Sequence, residues 1–182
     1  MSRITKDAIA KSLKEIMARK PLTRITIAEI TDNCGLNRMT FYYHFKDIYD
    51  LIKWICSDDT EKALNGQKNY ETWQKGVINL CYTLINNRVF VEGVYHSVQR
   101  EYIENYLYDL VYDLLFTVIK ELSEGFEITE KNKRYIADFY KYAFVGVLLE
   151  WIKNGMKEKP EELVGLVNAI TNGQLILAIK NM

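Results

Sequence analysis

The run Arg38-Met39-Thr40-Phe41-Tyr42-Tyr43-His44-Phe45-Lys46 gathers three hydroxyls, an imidazole and two cations into nine residues. Hydroxyls, imidazoles and cations bind phosphate oxygens, and arginine and apolar side chains read base edges. At helical spacing Phe41 and Phe45 share one face and read as core. Arg38, Met39, Tyr42 and Tyr43 turn outward, and Tyr42 and His44 are expected to face away from the two phenylalanines. Such a set recognises a polyanion. Bond-making chemistry needs a nucleophile–base pair, a glycine-rich phosphate loop or a metal cluster, and the sequence shows none, so no enzyme is expected. His44 and His96 lie far apart without a companion at ligand spacing, so no metal and no cofactor is expected. Cys34, Cys56 and Cys81 are odd in number and widely spaced, which fits reduced, buried thiols. Asp58, Asp59 and Glu61 read as an exposed acidic helix surface.

The elements that must hold this run are helices. Every periodic stretch has the helical repeat, and none alternates in the manner of a hairpin, so the fold class is all-α. A first helix is expected from a Thr5 cap to Arg19, with Ile9, Leu13, Ile16 and Met17 on one face. Thr26 with Glu29 forms a capping box, and Ile25 with Ile30 a hydrophobic staple, opening a helix that stops near Cys34-Gly35. Asn37 caps the short helix Arg38–Phe45, and Asp47 with Asp50 caps a fourth. Beyond Asn65-Gly66, helices are expected at about 72–86, 89–96, 97–122, 129–154 and 160–171.

Of 182 residues, 48% are hydrophobic and 26% charged, which excludes a disordered chain. The overall charge is zero but unevenly spread: residues 1–56 hold 10 Lys/Arg against 6 Asp/Glu, and residues 57–182 hold 14 against 18. A basic head on an acidic body suits a head that meets a polyanion. Arg3, Lys6, Lys11, Lys14, Arg19, Lys20 and Arg24 are read as its steering surface. No signal-like apolar run opens the chain and no apolar stretch approaches bilayer length, so a cytoplasmic protein without a membrane partner is expected.

Two helices, 27–34 and 38–45, joined by a turn containing Gly35 make a helix-turn-helix, whose second helix enters the major groove. The amides opening the first helix, with Thr26, are read as able to bind a phosphate. The runs Thr26–Ile30, Cys34–Asn37 and Thr40–Asp47 resemble the DNA-binding head of TetR/AcrR-type regulators over roughly residues 5–52. That resemblance implies a homodimer on double-stranded operator DNA, with contacts from Thr26, Asn37, Arg38, Met39, Thr40, Tyr42, Tyr43, His44 and Lys46. It assigns Thr26, Thr40, Tyr42 and His44 mainly to phosphate, Arg38, Met39 and Tyr43 to bases, and Lys46 to the backbone. Many relatives carry a lysine at the position of Ile48. The run Phe139–Ile152, with Asn154–Lys157 and Pro160–Leu163, resembles regulators of dihydroxyacetone kinase operons.

The expected division is a DNA-binding domain, residues 1–52, and an effector-binding and dimerisation domain, residues 53–182. In the body, Trp73, Tyr82, Tyr95, Tyr102, Tyr106, Tyr112 and Phe116 either fill the core or line an effector pocket. The effector is a small molecule or a protein. Ile136, Tyr140, Ala143, Val147, Trp151, Leu163, Leu166, Val167 and Ile170 either pack within the monomer or, as the resemblance implies, form half of an intersubunit four-helix bundle. The function this supports is sequence-specific transcription regulation, as repressor or activator. The alternative is a helical protein-interaction module without DNA binding.

Overall fold

The computed structural model describes residues 3–97 and 100–182, the side chain of Tyr102 excepted. Helices account for its regular structure: α1 (Arg3–Met17), α2 (Ile27–Asn33), α3 (Arg38–His44), α4 (Ile48–Leu64), α5 (Trp73–Asn86), α6 (Arg88–Tyr95), α7 (Arg100–Leu122), α8 (Glu130–Lys153), α9 (Pro160–Thr171) and α10 (Gln174–Lys180). No strand occurs among the described residues, and the all-α expectation holds. Thr5 lies inside α1 rather than capping it. A 3₁₀ turn at Leu22–Arg24 and the helix α10 were not expected; both are too short to show a periodic signature.

Compactness divides the chain into one unit of residues 1–59 and 87–103 and another of 60–86 and 104–182. The first unit buries one face of α1 (Ile9, Leu13, Ile16) together with Ile30, Phe41, Leu51 and Ile55. The hydroxyl of Ser12 donates to the Ile30 carbonyl at 2.7 Å, pinning α1 to α2 inside that core. Helix α6 belongs to this unit although α5 intervenes between it and α4 in the chain; it packs on α1, where Gly93 lies against the tip of Met17. Phe90, Val91, Val94 and Tyr95 are buried there.

The second unit centres on Leu115, Val118 and Ile119 of α7, Ile136 and Ala137 of α8, and Leu175 and Ile179 of α10. Helix α5 packs along α9, and α10 packs on both α8 and α9. Gly76 of α5 lets the preceding loop lie close against the helix, because any side chain there would collide with the Gln67 carbonyl oxygen. Read together, α9 and α10 form a 21-residue segment of mean hydropathy 1.4, long and apolar enough by composition to cross a membrane. This departs from the expectation that no stretch approaches that length. The chain breaks inside it at Gly173, whose φ of +78° starts a separate helix.

Candidate nucleic-acid interface

Helix α3 is set by its two ends. Asn37 Oδ1 accepts from the Thr40 amide at 2.8 Å and from the Thr40 hydroxyl at 3.0 Å, forming the expected N-cap. Before it, Gly35 adopts φ +68°, the left-handed residue that ends α2. After it, the Asp47 carboxylate accepts from the amides of Tyr49 and Asp50, starting α4 at once.

The two faces of α3 differ as the spacing predicts. Phe41 is 0% exposed, and its ring lies 5.8 Å from Phe45, which in turn lies 5.8 Å from Trp54. The Lys6 ammonium sits 5.6 Å from the ring centres of both Phe45 and Trp54, which draws it toward this aromatic cluster. Opposite them, Arg38, Met39 (78% exposed), Tyr42 and Tyr43 form an open surface. Lys46 is exposed beside it, while its backbone amide donates to Asp50.

His44 departs from expectation. It is half-buried, and its Nε2 is enclosed without a hydrogen-bond partner among the described residues. Position 44 follows Phe41 by three residues, which sets it on the flank of the buried stripe rather than away from it. An imidazole nitrogen enclosed without a partner is costly.

Thr26 is committed to its own helix. Its hydroxyl accepts from the Glu29 amide and donates to the Glu29 carboxylate, which also accepts from the Thr26 amide at 2.9 Å. The Glu29 carboxyl, paired with Lys20 and bonded twice by Thr26, is held down to about 2. The amides opening α2 are thus partly occupied by a carboxylate of the chain itself.

The basic approach surface is also more neutral than the sequence suggested. Arg3 pairs with Asp58, and Lys14 with Asp59 at 2.7 Å. This corrects the reading of Asp58 and Asp59 as a solvated surface: both are largely covered and anchor α1 to α4. Lys11 lies 3.9 Å from Glu15 and Lys20 pairs with Glu29. Arg19, Arg24, Arg38 and Lys46 are exposed without an acidic partner among the described residues.

The second unit holds a cavity of about 110 Å³ among α5, α7, α8, α9 and α10. Of the seven aromatic residues expected there, Trp73 lines it; the side chain of Tyr102 lies outside the described residues. Tyr82 is exposed and donates to Glu161 at 2.8 Å. Tyr95 is buried in the first unit, beneath the Arg100 guanidinium. Tyr106 is half-buried on α7 and does not line the cavity. Tyr112 and Phe116 stack at 5.7 Å against the α7–α8–α10 core. The cavity walls are mostly aliphatic, Leu and Val rather than the expected tyrosines.

The apolar arc of α8 is shared between two surroundings. Ile136 and Trp151 (2% exposed) are buried inside the monomer, and the Trp151 indole N–H donates to the Glu158 carbonyl at 3.1 Å. These two residues are therefore withdrawn from the expected intersubunit face. Tyr140 is half-buried on the core, and Leu163 and Val167 line the cavity. Ala143, Val147, Leu166 and Ile170 (74% exposed) are open, joined by Tyr135, Phe139 (73% exposed) and Tyr142, which the sequence reading left out. Exposed aromatics at helical spacing beside them were the missed signal.

Residues 71–173 match a family model described as a transcriptional regulator C-terminal region, of the TetR group. The chain is 25% identical over 172 residues to the HTH-type dhaKLM operon transcriptional activator DhaS of Lactococcus lactis, covering 92% of this chain and 91% of that protein. The solved structure of a dihydroxyacetone kinase operon activator DhaS superposes with a TM-score of 0.76 at 23% identity, over 100% of this chain and 99% of the other. NalD of Pseudomonas aeruginosa, the secondary repressor of the MexAB-OprM multidrug efflux pump, gives 0.59 at 14% identity, over 93% and 95%. With the matched model covering more than half its length, the chain belongs to the TetR family of transcriptional regulators.

Proposed function

We propose that the protein is a cytoplasmic, homodimeric regulator that binds double-stranded operator DNA through α3 and answers to an effector received in its body. The observation that carries this is the pair of faces on α3: Phe41 and Phe45 lock it into the core while Arg38, Met39, Tyr42 and Tyr43 stay open. A short capped helix presenting a cation, two phenols and a thioether has the dimensions and chemistry of a major-groove reader. Arg38, Met39 and Tyr43 are assigned to base edges. Tyr42, Thr40 and Lys46 are assigned to phosphates, and Thr26 and Asn37 act mainly by shaping the helix ends.

Residues 1–52 carry the DNA contacts and residues 53–182 the effector and self-association surfaces. The open apolar strip on α8 and α9, from Tyr135 and Phe139 through Val147 to Leu166 and Ile170, supports pairing with a second copy. Two heads in one dimer read half-sites about 34–36 Å apart or a multiple of it. An effector that binds one arrangement of the body more tightly shifts DNA affinity by the same linked free energy. The names of the relatives include an activator and a repressor.

Gel-shift selection from a random pool of double-stranded oligonucleotides at low salt tests the proposal. Retention of a subset with a shared two-fold motif, weakening steeply with salt, is the expected result. A purified dimer that retains no duplex at low ionic strength would overturn it.

A further inference from the structure

We infer that the cavity of the second unit receives a neutral, predominantly apolar small molecule ending in a hydrogen-bond acceptor such as an alcohol, ketone or ester oxygen. The inference deepens the effector reading above and rests on it. The walls are built by Trp73 and Val77 of α5, Leu110 and Leu114 of α7, and Val147 of α8. Among the described residues, no Asp, Glu, Lys, Arg or His contributes to the lining. A carboxylate or ammonium entering it would lose water without meeting an opposite charge, which disfavours ionic ligands strongly. The buried Cys81 thiol, also in the wall, is pushed up to about 12 by burial, with Glu161 adding to the effect, and so it supplies no charge near neutral pH.

Apart from the phenol of Tyr70, the polar side chains of the lining gather near the end of α9, where Asn168 and Thr171 lie one turn apart and Asn172 follows. Gln74 donates its amide N–H to Asn168 Oδ1 at 3.0 Å, which fixes the orientation of the Asn168 amide. The Asn168 NH₂ group then has no acceptor among the described residues. The Thr171 hydroxyl donates to the Val167 carbonyl at 2.8 Å and keeps its lone pairs. The Asn168 amide therefore offers a proton at this end, beside the amide of Asn172, and a ligand oxygen is its complement. At about 110 Å³ the space suits one small ring or a short alkyl chain, since an apolar cavity of about 150 Å³ accepts benzene.

Titration calorimetry on the full chain with straight-chain 1-alcohols, octanoate and octylammonium at pH 7 tests this. Binding of the alcohols should tighten about fourfold per added CH₂ among the short members and then level off as the space fills. Octanoate and octylammonium should bind at least tenfold more weakly than 1-octanol. Leu114→Trp, which fills the cavity, should lose alcohol binding at least tenfold; if that variant does not fold, the charge and chain-length series on the unaltered protein decides alone. Octanoate binding as tightly as 1-octanol, or no alcohol binding at all, would overturn the inference. A gel shift on the same preparation separates the two claims. Duplex binding without alcohol binding sinks the ligand class and leaves the regulator standing, and alcohol binding without duplex binding does the reverse.

Discussion

Replacing neighbours Phe41 and Tyr42 by alanine, one at a time, should separate folding from recognition within a single turn of α3. Phe41 is wholly enclosed and touches Phe45, so its loss leaves a cavity worth about 3–5 kcal/mol. For a chain of this size, at about 2–4 °C per kcal/mol, the melting temperature should fall by roughly 10 °C. Tyr42 is 55% exposed, and its main described contact is an edge-on approach to Phe41 at 5.8 Å. Such an aromatic pair contributes about 0.5–1.5 kcal/mol, so Tyr42→Ala should move the melt by only a few degrees. On DNA the order reverses. Tyr42→Ala should weaken a selected duplex and a scrambled one alike, with the salt slope smaller by about one if its hydroxyl meets a phosphate. Thermal melts by circular dichroism beside gel shifts at several salt concentrations give both readouts. If Tyr42→Ala melts as low as Phe41→Ala while binding DNA normally, the two faces of α3 have been assigned the wrong way round.

Other perturbations test neighbouring parts of the argument. Arg38→Ala should reduce discrimination between selected and mismatched duplexes by about 1–3 kcal/mol in competition shifts, with random-DNA affinity little changed. Because the Glu29 carboxyl is held near 2 against 4.5 for its free form, its stabilising effect is complete above 4.5 and lost as pH falls toward 2. Acid melts of Glu29→Gln should accordingly fall less steeply than wild type across that window. Ile170→Asp should shift self-association toward monomer by at least tenfold in sedimentation without lowering the melt. Trp151→Ala, inside the monomer and bonded to Glu158, should lower it through a loss of about 3–5 kcal/mol.

The local grammar of the head was legible because short-range signals decide it. Thr26 with Glu29, Gly35, Asn37 and Asp47 each act within three or four residues, and the structure shows the capping bonds of the polar ones and the left-handed turn at Gly35. Long-range pairing was not legible. Asp58 and Asp59 looked like a solvated face because their cations, Arg3 and Lys14, lie more than forty residues earlier. Helix α6 carries an ordinary apolar stripe, and nothing in a stripe names the helix it will lie against. On α8 two apolar faces compete, and the choice between them turns on details such as the Glu158 carbonyl that receives the Trp151 indole. The cavity was hidden for a similar reason: leucines and valines that line a hollow are indistinguishable in sequence from those that fill a core.

Helix α9 gives one flank, Val164 and Val167, to the interior and the cavity, and holds Leu166 and Ile170 out in the open. A rod of twelve residues that answers to two masters has little room to drift. A substitution that tilts it to suit a new guest also re-aims its outer flank, so a change in guest preference and a change in subunit pairing should arise together. Laboratory evolution toward a new guest should therefore collect compensating changes at 166 and 170, which do not line the cavity.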